Sequence, residues 1–222
     1  MHVEWFGQST FRLVAEGTTI VIDPFGDMSG LAGRGLRFDY PPLTGVTADL
    51  LLVTHEHRDH NAVEVVGGDP VTLRSQAGTF DPPVGEVVGV ASEHDDVAGT
   101  ARGANVMFRF TAGGVRVAHL GDLGQAALRD EQVAALGPVD LLLAPCGGGP
   151  TIGGVQADAI ARRLGARWVV PMHHRTPRIN FLESADALLA RADLVAELEA
   201  PSFDLTALPA CDGLLAVVPA AP

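Results

Sequence analysis

The sequence predicts an α/β protein whose chemistry sits at the ends of buried strands, and three observations predict it. Short runs of branched apolar residues, such as Leu50 to Val53, Val139 to Ala144 and Arg167 to Pro171, have the length of buried strands. Segments with helical spacing, Asp130 to Leu136, Ala157 to Leu164 and Ser184 to Arg191, alternate with some of them. Clusters of histidine and aspartate follow the strands directly, which is where open α/β sheets place their sites.

Taken in order, Val3 to Phe6, Phe11 to Ala15 and Thr18 to Ile22 read as short strands, the last two joined as a hairpin at Glu16-Gly17. Asp23-Pro24 ends the third, and an aspartate there can reach across the sheet's end to hold a ligand histidine. From Phe25 to Ala48 no period is sustained. So long an irregular stretch in a compact domain is usually functional, which makes Phe25, Met28, Leu36, Phe38 and Tyr40 candidates for one wall of a substrate pocket or for simple packing on the core. Asn61 to Val66 reads as a short helix capped by Asn61 and ended by Gly67-Gly68. Val71 to Leu73 and Glu86 to Val90 are strands, the second delivering Ser92-Glu93-His94-Asp95-Asp96. Asn105 to Ala112 and Val115 to Leu120 form a hairpin about Gly113-Gly114 and lead into Asp122. Gly147-Gly148-Gly149 opens a turn expected to be mobile, and the tail after Pro201 is too broken to assign.

An internal echo runs through the chain. Phe11 to Gly17 is matched by Phe108 to Gly114, and Asp49-Leu50-Leu51-Leu52 by Asp140-Leu141-Leu142-Leu143, so each half reads as hairpin, connection, Asp-headed buried strand and loop.

Composition bounds the function. At 222 residues the chain suits one domain over 1–222, and 47% apolar content gives it a sizeable core. No run approaches a membrane span, and the N-terminus lacks a secretory pattern, so cytoplasmic residence and no membrane partner are expected. Cys146 and Cys211 carry no metal-type spacing and fit free thiols. All 15 basic residues are arginine against 27 acidic ones; the net charge of −12 opposes nucleic acid as a partner.

The densest stretch is Thr54-His55-Glu56-His57-Arg58-Asp59-His60. Alternate side chains of an extended segment point the same way, so His55 and His57 can grip one ion while the following turn swings Asp59 and His60 toward a second. Imidazoles with carboxylates suit a pair of borderline ions such as Zn2+, with Mn2+ or iron as alternatives. The other polar residues just past strand ends are His94, His119, Asp122, His173 and His174, two more than a dinuclear site needs. His94 and His119 both follow apolar strands, and spacing does not separate them as the third ligand of the first ion.

The order His55-x-His57-x-Asp59-His60 after an apolar strand resembles the metal-binding motif of the metallo-β-lactamase-fold hydrolases. His94-Asp95, Gly103-x-Asn105, the run from His119 to Gly124 and Pro171-Met172-His173 are similar to the successive motifs of a bacterial branch close to the ascorbate-lactonase-like proteins. The resemblance spans the chain and implies a four-layer αββα sandwich with metals at the shared edge. It implies a first ion on His55, His57 and His94, a second on Asp59, His60 and His173, and Asp122 as the bridge. His119 then supports the site, it or a metal-bound water protonates the leaving group, Asp23 holds a ligand, and His174 lines the mouth or is exposed. Arg175 and Thr176 either anchor an anionic part of the substrate or are surface residues. Gly7-Gln8-Ser9 departs from the family's Gly-His-Ser, which removes a proton-transfer role from Gln8, and Cys146 stands where an aliphatic residue is usual.

The chemistry implied is attack by a hydroxide held between two cations roughly 3.5 to 4 Å apart, oriented by Asp59, on a small-molecule ester, lactone, amide or phosphodiester. The alternatives are an iron-dependent oxidoreductase on the same ligands, a nuclease, and a metal-binding protein without activity. Apolar residues before Ala48 suggest a lid or a homo-oligomer contact.

Overall fold

Strands β1 (His2–Gly7), β2 (Thr10–Ala15) and β3 (Thr18–Ile22) form an antiparallel meander, and β4 (Leu50–Val53) and β5 (Val71–Arg74) extend it in parallel. With β13 (Ser202–Asp204) on the outer edge of β1 they make a six-stranded sheet. The second sheet has eight strands, in the order β12 (Leu194–Glu197), β14 (Leu215–Val218), β11 (Trp168–Met172), β10 (Leu141–Pro145), β9 (Val115–His119), β8 (Ala104–Ala112), β7 (Val87–Glu93) and β6 (Gly78–Phe80). The structure is a computed structural model and describes residues 1–82 and 84–222.

The burial patterns follow from position. β1 alternates half-buried and buried residues because one of its faces meets the core, whereas every residue of β4 and β10 is buried, as expected of inner parallel strands covered on both faces. Trp5, Phe11, Leu13, Leu50 and Leu52 of one sheet meet Phe108, Phe110, Leu143, Val170 and Met172 of the other in the central core. The alternate residues of the second sheet, among them Met107, Leu142 and Val169, pack against α1 (Asp130–Leu136), α2 (Gly154–Arg163) and α3 (Asp186–Leu189). Burying each such large side chain contributes about 1.5–3 kcal/mol.

The expected sandwich is present, but its two outer layers differ. Over the smaller sheet, Val21 and Leu51 are covered by Val46, Ala48 and Val66, carried on extended chain and a single 3-10 turn, Val63–Val65. The predicted helix over Asn61 to Val66 shrinks to that turn because the Asn61 amide does not cap it; it donates to the Glu56 backbone and carboxylate. The predicted helix Ser184 to Arg191 is reduced to the four residues of α3. The segment after Phe25 holds a 3-10 helix, Ser29–Arg34, and an isolated bridge from Phe38 to Ile179. The turn expected to be mobile after Cys146 is close-packed at its start, where a Cβ on Gly147 would stand 2.1 Å from the His173 carbonyl oxygen, and open at Gly149.

The internal echo is structural. The amide of Thr19 donates to Asp49 Oδ2 at 2.8 Å, and that of Arg116 donates to Asp140 Oδ2 at 2.9 Å. In each half, therefore, an aspartate heading the buried strand holds the second strand of the preceding hairpin. Beyond it, the amide of Asp23 bonds Leu52 and the amide of Leu120 bonds Leu143. Both halves deliver their strand ends to one rim.

Candidate metal centre

Six strand ends supply the rim. β1 leads to Gln8, β3 to Asp23, β4 to the stretch Thr54 to His60, β7 to His94, β9 to Asp122 and β11 to His173. Gln8, Asp23 and His173 have φ of 50°, 49° and 48°, in the left-handed region that non-glycine residues enter rarely, and such strain clusters at functional sites.

Two triads result. The ligand atoms of His55, His57 and His94 lie within 4.8 Å of one another, and so do those of Asp59, His60 and His173. Asp122 joins them: its Oδ2 stands 3.1 Å from His173 Nε2, 3.2 Å from His94 Nε2, 3.3 Å from His60 Nε2 and 3.8 Å from His55 Nε2. His94, and not His119, therefore completes the first triad. A third grouping, Asp23 with His55 and His60, meets the same distance limit, but the Asp23 oxygens are already taken by Thr54 and His60.

Hydrogen bonds set which way each ring points. Asp23 accepts the Thr54 amide on Oδ1, and the Thr54 hydroxyl and His60 Nδ1–H on Oδ2. With its one proton given to Asp23, the Thr54 hydroxyl accepts from His55 Nδ1–H at 3.0 Å. His94 Nδ1–H donates to the Pro150 carbonyl at 3.0 Å. In neutral rings these bonds leave the Nε2 lone pairs of His60 and His94 facing the Asp122 carboxylate, while that of His55 meets His57 Nδ1 at 3.1 Å. Lone pairs facing a carboxylate at such distances repel unless a proton or a metal cation lies between them. His60 Nε2 and Asp122 Oδ1 are both buried and have no hydrogen-bond partner among the described residues. Orphans of this kind cost about 1–3 kcal/mol each unless something binds them. The donor set of imidazoles and carboxylates thus fits divalent cations.

The electrostatics agree. Burial alone would raise the Asp122 carboxyl, but the His173 and His60 rings hold it well below the usual carboxylate range. Burial opposes charge on His60, yet Asp122, Asp59 and Asp23 push it well above an ordinary imidazole. His55 is pushed down to about 3 by burial and by neighbouring His60. The cluster presents three carboxylates and accepts positive charge at its centre.

Other expected site residues stand elsewhere. His119 is fully buried; its Nδ1 accepts the Gly121 amide and its Nε2–H donates to the Ser9 carbonyl, so no nitrogen is free to protonate a leaving group. His174 is not exposed: it is buried, stacked on Trp5 at 5.7 Å, and gives its Nδ1–H to the Arg175 carbonyl. Arg175 turns its Nε–H to the Leu182 carbonyl, and Thr176 bonds the Tyr40 hydroxyl, so both fasten their own loop. Cys146 is buried, as a packing thiol would be.

Three contributors were given no site role by the sequence, although Asn105 stands in the Gly103-x-Asn105 motif and Gln8 in Gly7-Gln8-Ser9. Thr54 relays between Asp23 and His55. Asn105 accepts the Asp122 amide at 3.0 Å and donates to the Leu120 carbonyl, fixing the turn that bears the shared carboxylate. Gln8 donates its amide Nε2 to Asp59 Oδ2 at 3.0 Å. Of the candidate pocket residues, Phe25, Met28, Phe38 and Tyr40 line a cavity of about 380 Å³ together with Pro42 and Leu43, while Leu36 faces a separate groove beside Arg37.

Comparison with known proteins bears on this geometry. A UPF0173 metal-dependent hydrolase of Nitratidesulfovibrio vulgaris is 31% identical over 202 residues, covering 79% of this chain and 80% of that protein. A crystallised metallo-β-lactamase superfamily protein of Thermotoga maritima is 31% identical, with a TM-score of 0.78 and 98% of each chain covered. A diiron β-hydroxylase of Streptomyces venezuelae shares the fold alone, at 17% identity, a TM-score of 0.56, and coverage of 78% of this chain and 44% of that one. Residues 2–173 match the family model described as the Beta-lactamase superfamily domain, so the chain, with its two sheets and its rim of histidines and aspartates, belongs to the metallo-β-lactamase superfamily.

Proposed function

We propose that this protein is a hydrolase of small molecules that works with two divalent ions, preferentially zinc. The observation that carries the reading is the position of Asp122 Oδ2, 3.1 to 3.3 Å from nitrogens of His173, His94 and His60, with the two triads on either side. His55, His57 and His94 would hold one ion, Asp59, His60 and His173 the other, and Asp122 would be shared. When bound, such ions acidify water and polarise the electrophile. The names of the Nitratidesulfovibrio vulgaris relative, a metal-dependent hydrolase, and the Thermotoga maritima neighbour, a Zn-dependent hydrolase, support the same reaction class.

The chain's own part is positioning. Asp59 is the half-exposed carboxylate of the set. Burial raises its carboxyl, but the His60 charge outweighs this and holds it below the usual range, so near neutral pH it is an ionised acceptor. It can orient an attacking water by accepting its hydrogen bond. His119 is walled off by Ser9 and Gly121 and takes no part in proton transfer.

The cavity between Phe25, Met28, Phe38 and Leu43 is the proposed seat for an apolar part of the substrate. Ester, lactone, amide and phosphodiester bonds all suit the site; the net charge of −12 speaks against a nucleic-acid polymer. Two free cysteines support a reducing, cytoplasmic setting.

The test is metal analysis of protein purified without added metal, followed by a panel of esters, lactones, amides and phosphodiesters with chelator and then with zinc, manganese or iron. Two ions per chain and hydrolysis that disappears with chelator and returns with metal are expected. Iron with a visible spectrum and no hydrolysis would replace this reading with the oxidative one.

A further inference from the structure

The two triads are anchored differently. In the first, His55 is oriented by Thr54 and His94 by the Pro150 carbonyl, each through its own Nδ1. In the second, His60 is oriented by Asp23, but Asp59 and His173 share one anchor, and that anchor is Gln8. The Gln8 side-chain amide donates to Asp59 Oδ2 at 3.0 Å, while the Gln8 main-chain carbonyl accepts the amide N–H of His173 at 3.1 Å. The same carbonyl accepts the Trp5 indole N–H at 3.0 Å, which ties it to the core of β1.

We infer that Gln8 is the positioning residue of the second ion site and sets its affinity separately from that of the first; this rests on the dinuclear reading above. Three observations carry it. Gln8 is 1% exposed, and apart from the contact at 3.5 Å with His60 it is the polar side-chain partner of Asp59 among the described residues. Its Oε1 is buried and unpartnered, so the amide has been given up to Asp59 without a return bond, the arrangement expected when a side chain is held for its donor. Its backbone stands at φ 50°, and Gly7 before it, at φ 108°, lies so near the Tyr40 ring that a Cβ would come within 2.3 Å. The backbone here thus follows an unusual path that brings the Gln8 carbonyl to His173 and the Gln8 amide to Asp59. An amide cannot titrate near neutral pH; it therefore fixes the Asp59 carboxylate in one rotation, favours its ionised form, and moves no proton itself.

The experiment is zinc titration of chelator-stripped protein by calorimetry and by competition with a chromophoric chelator, for wild type, Gln8→Met, Gln8→His and His57→Ala. Methionine matches the length of glutamine without a donor and leaves the main-chain bond to His173 in place. Histidine restores an N–H and tolerates the left-handed backbone. In wild type two binding steps are expected. Gln8→Met should weaken one step roughly 10- to 100-fold and leave the other unchanged, as loss of a partner that orients a ligand does. His57→Ala should weaken the complementary step, and Gln8→His should recover at least part of the loss. Equal melting temperatures of the stripped wild-type and Gln8→Met proteins would exclude a merely structural effect. Two wild-type steps that are both unchanged in Gln8→Met, or that fall together with the stripped protein's melting temperature, overturn the assignment alone. Saturation of the wild type at one ion per chain overturns the dinuclear reading, and the assignment with it.

Discussion

Asp23 shows how much of a metal site is decided by a side chain that need not touch the metal. Its two oxygens accept three hydrogens, from the Thr54 amide, the Thr54 hydroxyl and His60 Nδ1, with no exposure to solvent. Asparagine at this position keeps the shape but offers one acceptor and a donor, so either Thr54 or His60 must lose its partner. Asp23→Asn is expected to lower zinc affinity roughly 10- to 100-fold while the circular dichroism of the protein stays unchanged. Zinc titration of the purified variant checks this, and wild-type affinity would show that His60 is oriented by packing alone. The role of Asp23 was legible because a strand-ending aspartate before proline has a limited set of uses. Gln8 and Thr54 were not, because glutamine and threonine are ordinary residues until two distant strand ends meet. His119 misled for the opposite reason: a histidine after an apolar strand has the same local appearance whether its nitrogens face a cation or, as here, two backbone groups.

At the scale of elements, inner strands and tight turns were readable, and of the edges only β5 was, as Val71 to Leu73. Thr18–Ile22 and α1 fall where composition puts them, since burial on both faces or a clear apolar stripe leaves a pattern. β6, β12 and β13 escaped notice: at three or four residues on sheet edges they are specified by the neighbour they pair with. The loops after β7 and β9 are set by close approach. A Cβ on Gly124 would fall 2.3 Å from the Asp95 amide nitrogen and 2.4 Å from the His94 carbonyl carbon. Gly124→Ala must therefore push the His94 loop away from the rim. We expect a loss of about 1–3 kcal/mol in denaturant unfolding, together with weaker binding of the first zinc ion. Unaltered binding of that ion would mean that the His94 loop yields without moving its ring.

For the whole molecule, the parentage of the two triads is decisive. Each takes two members from the loop after β4, in the smaller sheet, and one from the larger sheet, while Asp122 comes from the larger sheet alone. Ion binding and sheet packing are therefore thermodynamically linked. At free zinc a hundred times the dissociation constant, each ion stabilises the fold by about 2.7 kcal/mol, which for a chain of this size raises the melting temperature by roughly 5–10 °C. Calorimetric scans of stripped and zinc-loaded protein test this, and coincident transitions would mean that the ions do not bind across the two sheets. No helix among the described residues is long and apolar enough to cross a membrane. The repeated unit of hairpin and Asp-headed strand gives the pair of sheets a common plan, and the rim is the seam where the two copies abut. Neither copy owns a complete set of ligands, so the catalytic centre is a property of their union: the cations act as a clasp, and any loosening along that seam opens both coordination spheres at once.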